Sequence, residues 1–275
     1  MKRFSFIFFA LISLNVWANP QTDSTGNAGD NLDLYAVMDL FKKSQNLEEF
    51  EKALNTEKNG VNNLDLNKDG KVDYVHVVEY ADSSAHAIVL QVAVNDTEKQ
   101  DVATIELDQV GDQEVHAQIV GSDDLYDNYI VEPTDDKSDV KSEKTHVVVN
   151  VWTWPCVRYM YTPGYVVWHS PWYWRHYPGW WSPWHPVYWN VYHRRHIHCH
   201  GYYYRPYHHR TVVAHRVYHR HRVYSPTVRK THPVSRQKSY EPARHPKPVK
   251  QPQKTKEVRK MQNKRTNPAP RKQSP

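Results

Sequence analysis

The sequence predicts an α+β fold in which two N-terminal helices pack on a four- to five-stranded antiparallel sheet, followed by a largely irregular or disordered basic tail. Three observations lead to this prediction. Apolar residues recur with a helical period before residue 55 and with a period of two after residue 71. Short polar turns join the strand-like segments, which favours antiparallel pairing. Beyond residue 145 the composition changes abruptly to Trp, Tyr, His, Pro and basic residues.

Residues 1–18 have the features of a secretory signal peptide. Lys2 and Arg3 precede an apolar run, and Val16 and Ala18 supply the small residues of a cleavage site. An N-terminal membrane helix is the alternative, but the apolar run is short for a membrane span. We therefore expect an exported protein of the periplasm or cell envelope, with no transmembrane span after cleavage.

The two predicted helices each carry one apolar face. Apolar residues lie three and four positions apart in both segments, as in helices that pack on a sheet by one side. Asn46 and Glu49 have the spacing of a capping box and mark the start of the second helix. The apolar faces consist of Leu34, Val37, Met38 and Phe41 in the first segment and Leu47, Phe50 and Leu54 in the second.

Several segments after the helices alternate between apolar and polar residues and are predicted to be strands. They are residues 71–80, 87–94, 102–107 and 115–120, and residues 146–154 alternate like one further strand. Because one face of these strands is apolar, we expect the two helices to cover that face. The opposite face is expected to meet solvent, and its side chains include Glu106, Asp108, Glu114, His116 and Gln118.

The chain divides near residue 145 into an acidic half and a basic half. Residues 19–145 contain 28 acidic and 10 basic residues, whereas residues 146–275 contain 2 acidic and 24 basic residues. This asymmetry indicates either a basic arm that binds polyanions or an arm that folds back on its own acidic domain. The predicted parts are an acidic domain (19–132), a charged linker (133–145), a turn-rich basic segment of Trp, Tyr, His and Pro (146–222), and a disordered tail (223–275).

The clearest motif is LDLNKDGKVDYVHVV, residues 64–78. Oxygen ligands fall at alternate positions as in an EF-hand loop, with Gly70 at the sharp turn. The candidate calcium ligands are the side chains of Asp65, Asn67, Asp69 and Asp73 and the carbonyl group of Lys71. His76 stands where an EF-hand has its bidentate Glu, and the following residues are strand-like. Because the same residues suit a tight hairpin turn, a calcium-stabilised loop and a bare hairpin are both open interpretations.

The pattern D-x-N-x-D-G-x-x-D followed by a strand resembles the EF-hand-like calcium hairpins of integrin-type FG-GAP repeats and related extracellular modules. The loop occurs once in this chain, so the resemblance implies a calcium hairpin but not a propeller. The chain as a whole resembles a group of uncharacterised exported bacterial proteins. They join an acidic domain with a similar loop to a Trp/Tyr/Pro-rich segment and a basic tail. This resemblance implies export and brings no activity with it.

A histidine-rich tract at residues 193–210 is a second candidate metal site. In an extended chain His196, His198 and His200 share one face. Neutral imidazole suits zinc, copper or nickel, and a basic aromatic surface without metal is the alternative interpretation. Cys156 and Cys199 are the only two cysteines, and in an exported protein we expect them to form a disulfide rather than a metal clamp.

The sequence indicates a binding or structural protein rather than an enzyme, because it contains no G-x-S-x-G, H-E-x-x-H or Walker A motif. The basic segment is expected to bind an anionic envelope polymer or lipid surface, since Arg and Lys attract polyanions and Trp and Tyr suit sugar rings and membrane boundaries. Trp172 and Trp184, in the near-repeats WHSPW and WWSPW, are the candidate surface-binding residues. Export argues against intracellular nucleic acid as a partner. The alternative function is periplasmic transition-metal binding, with zinc or copper held by the histidine tract.

Overall fold

An antiparallel sheet forms the centre of the molecule, and each of its strands pairs with the next strand along the chain. The computed structural model describes residues 26–127, 129–133, 148–196, 202–204 and 209–235. The strands are β1 (Val75–Asp82), β2 (Ala85–Ala93), β3 (Lys99–Gly111), β4 (Glu114–Gly121), β5 (Ile130–Pro133) and the short β6 (Tyr202–Tyr204). Two-residue turns join β1 to β2 and β3 to β4, so the predicted hairpins are confirmed.

Short helices lie on both faces of the sheet. They are α1 (Leu34–Lys43), α2 (Leu47–Leu54), α3 (Pro155–Met160), α4 (Trp189–His196), α5 (Val212–His219) and α6 (Pro226–Thr231). The first three helices contribute to the main apolar core on one face of the sheet. Helix α5 packs on the opposite face, where its Val217 and Tyr218 meet Ala87 and Val89 of β2. The predicted α+β class, with N-terminal helices on an antiparallel sheet, is confirmed.

The ends of α1 and α2 are fixed by side chains that the sequence places there. Asp33 accepts hydrogen bonds from the backbone N–H groups of the first turn of α1. Asn46 Oδ1 accepts from Glu49 N–H at 2.8 Å, and Glu49 Oε2 accepts from Gln45 N–H at 2.9 Å. Asn46 therefore caps α2 as predicted, while the return hydrogen bond of Glu49 goes to Gln45, one residue before the cap, and not to Asn46 itself.

The main core consists of the apolar faces of these helices and of the strands beneath them. Phe41 and Phe50 meet edge to face with ring centroids 5.3 Å apart. The fully buried members of the main core include Phe41, Phe50, Leu54, Leu64, Ile88, Leu90 and Ile105. Burial of aliphatic and aromatic side chains of this size supplies the dominant stabilising free energy, at about 1.5–3 kcal/mol for each Leu, Ile or Phe.

The strand predicted at residues 146–154 is not formed in the described part of that segment. Asn150 Oδ1 instead accepts hydrogen bonds from Val115 N–H at 3.1 Å and from Trp152 N–H at 2.9 Å. The side chain thereby turns the chain locally, and Pro155 then occupies the first turn of α3. The fifth strand is β5, whose four residues end at a proline and are too few to show a period of two.

The second half of the chain folds back on the first half throughout residues 148–196 and 209–235. Tyr192 is buried, and its hydroxyl group donates to the carbonyl oxygen of Val61 at 2.6 Å. Asn63 exchanges two hydrogen bonds with the backbone of Val187, at 2.8 and 3.0 Å. Of the two arrangements that the charge asymmetry indicated, the described residues therefore adopt the folded-back one.

The Trp/Pro-rich stretch at residues 161–188 consists of turns, bends and extended chain, as its proline content predicts. Further on, α6 lies within the region assigned to a disordered tail by composition. Ser225 caps this helix by accepting a hydrogen bond from Val228 N–H. None of the helices in the described ranges has both the length and the apolar character needed to cross a membrane.

Candidate functional site

The predicted calcium loop is held together by its own side chains. Asp65 accepts hydrogen bonds from the N–H groups of Asp69 at 3.1 Å and Gly70 at 3.0 Å. Asp69 accepts one from Lys71 N–H, and Asn67 Oδ1 accepts one from Asp69 N–H, each at 2.9 Å. Gly70 has a φ of 79°, which a glycine adopts without strain. Backbone N–H groups therefore account for the inward orientation of these side chains.

Asp73 is the buried member of the loop. Its Oδ2 atom accepts a hydrogen bond from Leu66 N–H at 2.6 Å. Burial raises the pKa of Asp73 to about 7, against this hydrogen bond and with help from the like charges of Asp65 and Asp69. The three carboxylates are thus close enough to repel one another, and a bound cation is one way to relieve that repulsion.

Distant parts of the chain hold the outside of this loop. His185 Nδ1 lies 2.8 Å from the carbonyl oxygen of Gly70. Lys68 donates from Nζ to the carbonyl oxygen of Thr231 at 2.8 Å. The backbone N–H of Val72, just after the loop, donates to the Trp184 carbonyl oxygen, also at 2.8 Å. The loop is therefore coupled to the aromatic segment (the Trp/Pro-rich residues 161–188) and to α6.

The sheet face that was predicted to meet solvent is mostly covered. Glu106, Asp108 and Gln118 are buried, Glu114 is exposed and His116 is half-buried. The prediction is wrong for the first three residues because the segment 209–225, which includes α5, lies across this face. A buried polar group loses its contacts with water and needs a partner inside the protein. The covering segment supplies those partners.

Glu106 has three partners in the segment 209–225. Its Oε2 atom accepts a hydrogen bond from Thr211 Oγ1 at 2.7 Å and lies 3.8 Å from His209 Nδ1. Its Oε1 atom lies 2.7 Å from His215 Nδ1. Burial acts to raise the pKa of Glu106, but the contacts with the two histidines and with Thr211 outweigh burial and lower it. Glu106 is therefore a buried carboxylate held in the ionised form.

Asp108 and Gln118 fix the chain on either side of Glu106. The two carboxylate oxygens of Asp108 accept from Val213 N–H at 3.0 Å and Ala214 N–H at 2.8 Å, which are the orphan donors of the first turn of α5. Gln118 Oε1 accepts from Arg210 N–H at 2.8 Å. The polar side chains of β3 and β4 thus fix the position of α5 and of the residues just before it.

Buried carboxylates also anchor the aromatic segment on the opposite face of the sheet, which α1, α2 and α3 cover. Glu79, fully buried, accepts hydrogen bonds from Trp168 N–H at 2.8 Å and from the hydroxyl group of Tyr165. Glu51 of α2 accepts from Ser170 Oγ at 2.7 Å. Burial raises the pKa of Glu51, although its hydrogen bonds act in the opposite direction. Buried acids of the acidic half therefore hold both the aromatic segment and the segment 209–225.

The histidine tract and the cysteine pair are described only in part. His196 is buried at the end of α4, where burial lowers its pKa. His198, His200 and Cys199 lie outside the described residues. Cys156 is buried in α3 within the main core, and burial raises the pKa of its thiol. Neither the predicted transition-metal site in the tract nor the predicted disulfide is tested by these positions.

The aromatic segment exposes rings other than the two predicted ones. Trp172 and Trp184, the predicted surface-binding residues, are half-buried. The more exposed rings are those of Tyr173, Trp180 and Tyr188, which are 53%, 47% and 86% exposed. Sequence reasoning singled out the WHSPW and WWSPW near-repeats, whereas exposure depends on which rings pack against the first half of the chain.

One cluster of metal-ligand side chains was missed by the sequence analysis. Glu106, His209 and His215 each offer a ligand atom, and these atoms lie within 4.8 Å of one another. Within the described ranges they form the one group of three or more His, Cys, Asp or Glu residues with this property. The available signal was the spacing of His215 and His219, four residues apart in a helical segment.

The architecture and its sites define an α+β protein in which a basic aromatic segment is anchored by buried carboxylates. Comparisons with protein-family models, curated proteins and solved structures find no match to this chain. Its function is therefore inferred from the chemistry of the residues described above.

Proposed function

We propose that the chain is an exported binding or structural protein of the cell envelope, whose basic aromatic half binds an anionic surface. The surface is an acidic polysaccharide or a layer of lipid headgroups. A single observation carries the proposal: the rings of Tyr173, Trp180 and Tyr188 stay exposed, at 53%, 47% and 86%, on a segment whose backbone is anchored to the sheet. Tyr and Trp faces of this kind suit sugar rings and the membrane–water boundary.

The anchoring of this segment supports the proposal because it reduces the entropy lost on binding. Trp168 and Trp184 accept backbone hydrogen bonds from Glu79 and Val72, at 2.9 and 2.8 Å. Rings that are already positioned lose less conformational freedom when they meet a surface than rings on a flexible chain. The aromatic segment also contains proline at positions 163, 171, 178, 183 and 186. Because each proline fixes its φ angle, these residues restrict the backbone conformation further.

The charge of the same half supplies the attraction to a polyanion. Residues 146–240 contain no Asp or Glu. Arg175, Arg194 and Arg195 are exposed within the aromatic segment and in α4. Residues 236–275 add 13 basic residues and only 2 acidic ones. Clusters of like charge attract polyanions over about 10 Å at 0.1 M salt.

The proposal is tested by co-sedimentation of the full chain with vesicles rich in phosphatidylglycerol and, in a separate arm, with an insoluble acidic polysaccharide. Neutral phosphatidylcholine vesicles and a neutral polysaccharide are the controls. We expect binding at low salt that weakens as salt is added. We also expect tighter binding at pH 5.5 than at pH 7.5, because exposed histidines gain positive charge below about pH 6.5.

Aromatic contact is tested in the same assay at high salt. The double change Trp180→Ala and Tyr188→Ala should remove the binding that remains at high salt, whereas Val110→Ala, at an exposed apolar residue of β3, should not. Trp172→Ala with Trp184→Ala tests the pair selected from the sequence. Absence of binding to both anionic materials at low salt would contradict the proposed function.

A further inference from the structure

Three imidazole rings form a row over the second face of the sheet. The ring centroids of His209 and His215 are 3.9 Å apart, and those of His215 and His219 are 4.3 Å apart. His215 and His219 are one turn apart on α5, so the backbone geometry itself places them together. The carboxylate of Glu106 lies beneath the row, on β3.

The distances in this cluster are close to those of a metal site. Glu106 lies 2.7 Å from His215 Nδ1 and 3.8 Å from His209 Nδ1, and one ligand atom from each residue falls within a 4.8 Å group. Ligand atoms around a tetrahedral zinc ion, each ~2.0–2.2 Å from the metal, are ~3.3–3.6 Å apart. Side-chain shifts of about 1 Å therefore suffice to bring the three ligand atoms around one ion.

We propose that Glu106, His209 and His215 bind one divalent first-row transition cation, with His219 orienting His215 from behind. Two imidazole nitrogens and one carboxylate oxygen form a ligand set that zinc, copper and related ions favour, whereas calcium and magnesium favour oxygen ligands alone. This site goes beyond the proposed surface binding and uses none of its aromatic residues. It also differs from the site predicted in the histidine tract.

The contact between His215 and His219 supports this division of roles. Their Nε2 atoms are 2.8 Å apart, so one nitrogen must carry a proton and the other must accept it. When an ion occupies Nδ1 of His215, the ring proton lies on Nε2 and is donated to His219. A partner on the second nitrogen is the usual device that fixes the tautomer and orientation of a metal-bound histidine.

Burial gives the cluster a closed side and an open side. Glu106 is fully buried, while the side chains of His215 and His209 are 26% and 34% exposed. An ion can therefore reach the site past His209 and meet a carboxylate that is already desolvated and positioned. Three protein ligands leave a fourth coordination position for water or another ligand, as in open zinc sites.

The site also joins two parts of the chain that are distant in sequence. Glu106 belongs to the acidic half, and both histidines belong to the basic half. A bound ion would therefore hold α5 and the residues before it on the sheet, and it should stabilise the folded chain because the ligands come together only there. This provides a second readout that does not depend on measuring affinity.

The test uses the purified full chain, freed of metal with a chelator, and Zn²⁺ as the probe. Zn²⁺ is titrated by calorimetry in competition with a chelator of known affinity, and the melting temperature is measured with and without Zn²⁺. We expect one site with a dissociation constant of about 1 μM or tighter. Binding should weaken below pH 6, because protons compete for the imidazole nitrogens.

Variants separate this site from the other histidines, since the chain contains 18. His209→Gln should abolish the rise in melting temperature that Zn²⁺ causes in the unaltered chain, with the melting temperature of the same variant without Zn²⁺ as its baseline. His219→Gln should weaken binding by about 10- to 100-fold. The matched control is the double change His198→Gln and His200→Gln in the tract, which should retain the site.

Three outcomes would overturn the assignment. The first is the lack of a saturable Zn²⁺ site tighter than about 100 μM. The second is unaltered binding in His209→Gln and Glu106→Gln together with its loss in the tract variant. The third is loss of binding in His219→Gln with no effect of His209→Gln, which would place the ion on the Nε2 pair of α5 instead.

Discussion

Asp73 is a carboxylate whose ionisation opposes the stability of the loop around it. Its pKa lies at about 7 in the folded chain and at the ordinary 3.8 when unfolded. Between about pH 4 and pH 7 the folded state therefore binds a proton that the unfolded state has released. The free energy of unfolding falls as the pH rises through this window. A cation in the loop would favour the ionised form and reverse that effect.

We propose that calcium binds the loop, where the side chains of Asp65, Asp69 and Asp73 converge on one tight turn, and that it stabilises the full chain. At a tenfold excess over the dissociation constant, calcium should add about 1.4 kcal/mol to the free energy of unfolding. The gain should be larger at pH 8 than at pH 6, because protons compete for Asp73. Thermal melting with and without about 10 mM calcium measures the gain, at a concentration suited to weak extracellular-type sites.

Asp69→Ala should abolish the calcium-dependent rise in melting temperature, because it removes one of the three converging carboxylates. Asp96→Ala, at an exposed aspartate in another turn, is the matched control and should preserve it. Identical melting curves with and without calcium at pH 8 would leave the hairpin interpretation alone.

Helix α5 depends on the sheet for its N-terminal cap. The residue at its own cap position, Thr211, makes no side-chain capping bond and instead donates to Glu106. Asp108 performs the capping from β3, a hundred residues earlier in the chain. The negative charge of Asp108 also lies at the positive end of the helix dipole. The helix is thus specified by its contact with the sheet.

Asp108→Ala should therefore destabilise the protein by about 1–3 kcal/mol, because it removes the acceptor of two N–H groups at a covered helix end. Urea unfolding followed by circular dichroism measures the change. Asp112→Ala, in the exposed turn between β3 and β4, should change stability by less than about 0.5 kcal/mol. Equal effects of the two changes would contradict the capping role of Asp108.

The elements that sequence reasoning found are those specified by neighbouring residues. The capping box at Asn46 and the alternation along β2 to β4 act over a few positions, so they can be read locally. β5 was missed because four residues ending at Pro133 carry too little pattern. The strand expected at residues 146–154 failed because the side chain of Asn150 competes for the backbone N–H groups that a strand would use.

The candidate site could be predicted much less well, because its residues meet only in the folded chain. Glu106 alternates correctly onto the polar face of its strand, but the sequence does not reveal what covers that face. His209 and His215 lie a hundred residues away, within a composition that indicates only a basic surface. The spacing of His215 and His219 is a local helical signal that was not used, and it carries no information about the carboxylate of Glu106.

The whole molecule balances two oppositely charged halves by burying part of the contact between them. Residues 19–145 carry a net charge of −18 and residues 146–275 a net charge of +22. Buried acids such as Glu79 and Glu106 accept hydrogen bonds from the second half, and Val217 and Tyr218 add apolar contact. Screening by salt acts mainly on exposed charges, so it should leave most of this contact intact.

A chain split within residues 134–147 should therefore yield two pieces that associate. We expect the co-expressed pieces to co-purify and to remain together at about 1 M salt, where the Debye length is about 3 Å. Size-exclusion chromatography with and without salt measures this association. Separation of the pieces at moderate salt would indicate that long-range attraction alone holds them. The Glu79→Ala variant should weaken the complex, whereas the exposed-site control Asp96→Ala should not.

The extended chain at Trp168–Ser170 also protects an edge of the sheet. His169 forms a bridge with Val78 of β1, and Ser170 N–H donates to the Val77 carbonyl oxygen at 2.9 Å. An uncovered outer strand offers unpaired N–H and C=O groups to which a second molecule can add its own strand. Here part of that row is already occupied, and Pro171, which has no N–H to donate, follows directly. The aromatic segment thereby limits strand-to-strand polymerisation of the folded chain.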